Sequence, residues 1–183
     1  AAAASTGAVA LFHVVGATPE APTLDAATGG LAPVRKVALT GEMLRGSLDR
    51  LSTATDPAGV DAVAVGSPHF SLHEFEELTR LVRGRRLVMP FYACTARDTL
   101  NDLEARGDAA ILRDAGVEII VDTCVVVTPI LPASGGVLMT NSGKFAHYGP
   151  SNTGYEVLYG SLEDCVESAV AGRLVRDEEV WAW

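Results

Sequence analysis

Between residues 61 and 121 the chain alternates short apolar runs with amphipathic runs of helical period, joined by very short connections. That alternation constrains the fold more than any other feature. Residues 61–65 form an apolar strand that ends at Gly66-Ser67-Pro68-His69. Ser71 then caps a helix to about Val82, with Glu74 at the capping-box position and Leu72, Phe75, Leu78 and Val82 as its apolar stripe. Gly84 ends it. Residues 86–91 read as the next strand. Thr95 or Asp98 starts a helix that runs to about Ala115, with a break at Gly107 and a stop at Gly116. Residues 117–121 are a third strand, continued by 125–127. Fully apolar strands joined through helices imply parallel pairing with right-handed crossovers.

The alternation continues downstream with a strand at 138–140 and a helix at 141–148. A strand at 156–159 and a helix at 162–171 follow. Upstream, the unbroken apolar run at 9–15 reads as a buried strand. Residues 16–33 read as a long loop rich in Pro, Thr, Ala and Gly. Thr40 caps a helix over Gly41–Leu51. The tail at 177–183, with two Trp, reads as a segment that docks on a surface or forms an interface. The expectation is an α/β fold, a parallel sheet with flanking helices, built as a single domain over residues 1–183.

Bulk properties exclude several functions. The net charge of -9 argues against a nucleic-acid surface, and Arg80, Arg83, Arg85 and Arg86 read as decoration of a helix end. No apolar run reaches the roughly 20 residues that span a bilayer. The start has no initiator Met and no signal-peptide pattern, which reads as a fragment, a processed chain or one subunit of a split protein. Three cysteines, an odd count, read as reduced thiols in a cytoplasm. No Gly-x-Gly-x-x-Gly, Walker loop, Gly-x-Ser-x-Gly or His-Glu-x-x-His occurs, which weakens dinucleotide, nucleotide, serine-hydrolase and zinc-protease readings.

In an open parallel sheet, ligands bind beyond the carboxyl ends of the strands. The element order puts four polar clusters on that edge: Ser67-Pro68-His69, residues 92–97, Asp122-Thr123-Cys124 and Asn141-Ser142. Cys124 follows a strand and Cys165 enters a helix, so both are candidate metal ligands, with buried packing thiols as the alternative. Cys94 lies at the same edge and is a candidate third thiolate. Asn141, Ser142 and Lys144 resemble an anion site at a helix start, or a plain cap with a solvated lysine. His147 is placed for proton transfer or for packing. Ser67 and His69 are candidate substrate contacts. Thr95 and Arg97 offer a hydroxyl and a guanidinium for a carboxylate, or an ordinary salt bridge. His13 reads as buried in the first strand, and His73 as solvated.

Five stretches carry a family resemblance: Phe12-His13-Val14-Val15-Gly16-Ala17-Thr18-Pro19-Glu20-Ala21, Gly66-Ser67-Pro68-His69-Phe70-Ser71, Val121-Asp122-Thr123-Cys124, Thr140-Asn141-Ser142-Gly143-Lys144 and Asp164-Cys165-Val166-Glu167. In this order they resemble aconitase X, in the C-terminal part of its large catalytic region. The resemblance implies an aconitase-superfamily α/β fold. It also implies a dehydratase with an iron–sulfur cluster or mononuclear iron held by three cysteines. By position Cys124 and Cys165 take that role. Cys94 departs from the family pattern, so the third ligand is expected upstream, outside this chain. His69, Asn141, Ser142 and Lys144 would form the environment of substrate and metal.

Family activities are dehydration of cis-3-hydroxy-L-proline in bacteria and of phosphomevalonate in archaea. The Ser-Pro-His-Phe wording resembles the bacterial type, whose product would be Δ1-pyrroline-2-carboxylate. The partners implied are a small hydroxy-acid substrate, the remaining half of the large region, and a small swivelling domain or subunit that supplies a serine base. A non-catalytic binding or assembly module and a flavodoxin-like phosphate-binding domain are the other two readings.

Overall fold

The structure is a computed structural model that describes residues 2–54, 59–133, 135–177 and 179. Its strands are β1 (Ala62–Phe70), β2 (Phe91–Thr95), β3 (Val117–Val121), β4 (Val137–Thr140) and β5 (Glu156–Tyr159). All pair in parallel, as the short crossovers require, in the order β3-β2-β1-β4-β5. The chain winds outward from β1 to β3, then returns to the other side of β1 with β4. The order therefore reverses between β1 and β4, where a crevice opens at the carboxyl ends of the strands.

Alternation along each strand divides the core in two. Val63, Val65, Phe91, Ala93, Met139 and Leu158 face one side. They pack under α4 (Leu72–Val82), α5 (Arg97–Arg106), α6 (Asp108–Ala115) and α8 (Leu162–Ala171), through Phe75, Leu78, Leu103, Leu112 and Ala169. Ala62, Ala64, Tyr92, Cys94, Leu138 and Val157 face the other side, under Phe145 and Ala146 of α7 (Gly143–Thr153). Upstream lie α1 (Ala2–Gly7), α2 (Leu24–Thr28) and α3 (Gly41–Leu51), the last capped by Thr40 as its sequence predicts. The capping box of Ser71 and Glu74 and the break at Gly107 are also present. No described helix is long and apolar enough to cross a membrane.

Several expected boundaries differ. Residues 86–90 are not strand: the Leu87 and Val88 amides bond to Ala115 and Ala169 carbonyls outside the ladder, and Pro90 has no N–H to give. Neither Thr95 nor Asp98 caps α5. Thr95 completes β2, and Ala96 holds the cap position without a side-chain bond. Residues 125–127 are a turn, not a strand. Asp122 turns the chain with φ 60°, and the Val127 amide closes on the Cys124 carbonyl at 3.1 Å. Val125 and Val126 are nevertheless buried, so their apolarity marks burial and not pairing.

Helix α7 starts at Gly143, two residues later than the expected 141, and runs on to Thr153 with Pro150 inside it. The expected loop at 16–33 contains α2. The run at 9–15 forms no strand. Leu11 is 75% exposed, and His13 is exposed with it. An apolar run signals a need for cover, and among the described residues no strand pairs with this one. The tail tryptophans lie outside the described residues.

Candidate active-site cleft

The cleft lies along the second half of β1, which does not end at residue 65 but runs on through Gly66-Ser67-Pro68-His69 to Phe70. Gly66, with φ 84°, lets β1 pass against the backbone of Cys94. Ser67 follows, buried, then Pro68 and an exposed His69 whose Nε2 lies 3.2 Å from the Thr123 carbonyl. Across the switch point, β4 ends in buried Thr140, and Ser142 caps α7 by accepting from the Phe145 amide at 3.0 Å. The same Ser142 hydroxyl donates to the Ser67 carbonyl in a short bond, tying the start of α7 to β1. The Ser142 amide in turn donates to Thr140 Oγ1 at 3.2 Å.

A cavity of about 230 Å³ fills this corner, lined by Gly66, Ser67, His69, Glu74, Asn141, Ser142 and Lys144, with Ala2 of α1 at its margin. A second, of about 420 Å³, shares Gly66, Ser67, Pro68, His69 and Lys144 and adds Cys124. The Ser67 hydroxyl lies 4.0 Å from the Cys124 sulfur. Ser142 satisfies the third amide of α7, and the earlier first-turn amides have no partner within a helix. Lys144 lines the same cavity, and a lysine beside a helix start is an arrangement that suits a carboxylate or phosphate. The cleft can therefore hold an acidic group beside a half-exposed thiol.

Of the residues singled out from sequence, Ser67, His69, Asn141, Ser142, Lys144 and Cys124 line these two cavities. Four others line neither. Thr95 is buried and donates to the Phe70 carbonyl at 2.8 Å. Arg97 pairs with Asp122, Nη2 to Oδ2 at 2.9 Å. His147 is exposed and stacks edge-on against Tyr148, ring centroids 4.8 Å apart. Cys165 is fully buried in the core on the side of the sheet away from Cys124, which packs against the other core. The structure therefore does not bring the two expected ligand thiols together.

Burial pushes the Cys165 thiol far up, with the Asp164 charge adding to it. Burial likewise pushes Cys94 up to about 11. Thiolate is the form that binds iron, and of the three cysteines Cys124 is the one that lines a described cavity. Among the described residues no group of three or more His, Cys, Asp or Glu is arranged to hold a metal ion. Among the described residues the thiols are not arranged as a three-thiolate centre.

Two contributors escaped the sequence reading. Gly66 shapes the cleft floor. Glu74 reads from its sequence position as a capping residue, yet it also lines the smaller cavity. The signal for it was present: a helix that starts directly after an edge cluster turns its first-turn side chains back toward the strand ends.

Comparison with known proteins agrees with this fold. Residues 60–171 match the aconitase X third domain, and residues 1–49 match the aconitase X second domain. The cis-3-hydroxy-L-proline dehydratase of Pseudomonas aeruginosa is 39% identical over 185 residues, which is 99% of this chain and 32% of that protein. The enzyme of the same name from Hypocrea jecorina is 39% identical, over 94% of this chain and 30% of its own length. The phosphomevalonate dehydratase large subunit of Methanocaldococcus jannaschii is 28% identical over 91% of this chain and 40% of its own. The crystal structure of Thermococcus kodakaraensis aconitase X, holo-form, superposes with a TM-score of 0.64 at 28% identity, over 75% of this chain and 36% of that one. The chain thus spans about a third of the length of the relatives it matches. It belongs to the aconitase X family.

Proposed function

We propose that this chain is the cleft-bearing part of a dehydratase that eliminates water from cis-3-hydroxy-L-proline. The observation that carries the reading is that Lys144, at the start of α7, and the Cys124 thiol line one cavity at the switch point of the sheet. The 39% identity to two cis-3-hydroxy-L-proline dehydratases supports the substrate.

Lys144 and the α7 amides would hold the substrate carboxylate, with Ser67, Asn141 and Ser142 orienting it. Holding the carboxylate stabilises charge that develops when the proton on the adjacent carbon leaves. That proton and the 3-hydroxyl depart together as water, and the enamine left behind tautomerises to Δ1-pyrroline-2-carboxylate. The base, the remaining metal ligands and the far wall of the site would come from the rest of the protein, including a small swivelling domain. Cys124 would be one ligand of an iron or iron–sulfur centre, which when bound supplies Lewis-acid polarisation. The three free thiols fit a reducing compartment such as the cytoplasm.

The test is anaerobic turnover of cis-3-hydroxy-L-proline by the chain assembled with its remaining portions and iron, beside Cys124→Ser, Cys165→Ser and Lys144→Ala. The expected result is activity lost with Cys124→Ser and weakened with Lys144→Ala. Turnover of phosphomevalonate in place of hydroxyproline would overturn the substrate assignment. Full activity in Cys124→Ser would overturn the thiol's role.

A further inference from the structure

Among the described residues, Glu74 is the one carboxylate lining the smaller cavity, whose other charged or titratable lining groups are His69 and Lys144. Its place is set by the start of α4. Its Oε2 accepts from the Ser71 amide at 2.8 Å and from the Ser71 hydroxyl at 2.7 Å. Those two bonds hold the side chain down and occupy one oxygen. A carboxylate has acceptor capacity on both, and among the described residues Oε1 takes no hydrogen bond.

The same cavity carries Lys144 and the start of α7, which suit an anion. A cavity furnished with both signs of charge fits a zwitterion better than a dianion. We propose that Glu74 is a specificity residue that binds the ring ammonium of a cyclic amino acid whose carboxylate lies on Lys144. It also disfavours phosphate-bearing hydroxy acids, which would bring a second anion toward its carboxylate. The proposal rests on the dehydratase reading above and names the feature of the substrate that this cleft selects.

Glu74→Gln isolates the charge, because glutamine serves equally at this position of a capping box. In the complete, iron-loaded protein, calorimetry would measure binding of L-proline and of tetrahydrofuran-2-carboxylate, which has an ether oxygen in place of the ring ammonium. The wild type is expected to prefer L-proline by about fivefold, the scale of a solvent-screened ion pair. The variant is expected to lose that preference at unchanged Tm. A preference that survives in the variant, or equal weakening of both ligands, would overturn the proposal. Turnover is read separately. A preference lost in the variant while the wild type fails to dehydrate cis-3-hydroxy-L-proline would count against the dehydratase reading and for Glu74 as the ammonium contact.

Discussion

Gly66 and Cys94 meet backbone to backbone: a β-carbon on Gly66 would collide with the Cys94 carbonyl oxygen and stand 2.8 Å from its amide nitrogen. The contact lies in the middle of β1, where pairing with β2 shifts register between Val65 and Phe70. Gly66 also holds φ 84°, a conformation that costs other residues free energy. Gly66→Ala should therefore destabilise the protein by about 3 kcal/mol or more, from backbone strain and overpacking together. The check is the urea midpoint of the complete protein. A loss under about 1 kcal/mol, within the range of an ordinary surface substitution, would mean the strands separate easily to admit a methyl group.

Local signals were legible and tertiary ones were not. Ser71 with Glu74, and the stripe Phe75, Leu78 and Val82, lie within one helix, so α4 could be read from a dozen residues. The edge clusters were legible because topology alone sends every loop after a parallel strand to the same side. That Ser67 and Ser142 touch was not legible, because 75 residues separate them and only the strand order makes them neighbours. The apolar stretch before Phe91 misled because the acceptors for its amides, Ala115 and Ala169, sit in distant helices. Cys165 misled for a related reason. Its place near a helix start suggested an activated thiol, but the rotation of α8, fixed by Val166 and Ala169, turns it into the core.

Ser142 and Lys144 separate scaffold from ligand binding. Ser142 caps α7 and joins it to Ser67, so Ser142→Ala should cost about 1–2 kcal/mol of stability, the usual range for a lost cap. Lys144 takes part in no ion pair among the described residues, so Lys144→Ala should leave the urea midpoint almost unchanged. Binding of a carboxylate ligand such as L-proline should weaken in both. A Lys144→Ala protein that binds the ligand as tightly as wild type would overturn the lysine's proposed role as carboxylate contact.

The three thiols should differ sharply in reactivity. Cys124 is half-exposed at the larger cavity, while Cys94 and Cys165 are buried and their thiols are pushed up by that burial. Alkylation proceeds through the thiolate and needs access. Iodoacetamide at mildly alkaline pH, applied to the metal-free protein, should label Cys124 alone, and denaturant should expose all three. Peptide mass spectrometry reads the sites. Prompt labelling of Cys165 in the folded protein would show that α8 opens in solution, and would restore that thiol as a candidate ligand.

Arg85 and Glu167 join the segment after α4 to α8 by two parallel bonds, Nη1 to Oε1 at 2.7 Å and Nη2 to Oε2 at 2.8 Å. Hydrogen bonding to Arg85, aided by its charge and opposed by partial burial, holds the Glu167 carboxyl below its ordinary value. A carboxyl depressed in the folded state contributes stability above its unfolded value, near about 4.3, and loses it as pH falls through the folded value. The pair is partly solvent-exposed, so its worth is about 0.5–1 kcal/mol after screening. Glu167→Gln should therefore be less stable than wild type by that amount at pH 7, with the gap closing on acidification below about pH 4. Urea midpoints of both proteins at pH 7, 5 and 3.5 read the effect. A gap that stays constant across that range would mean the pair stabilises through packing of its aliphatic stems and not through charge.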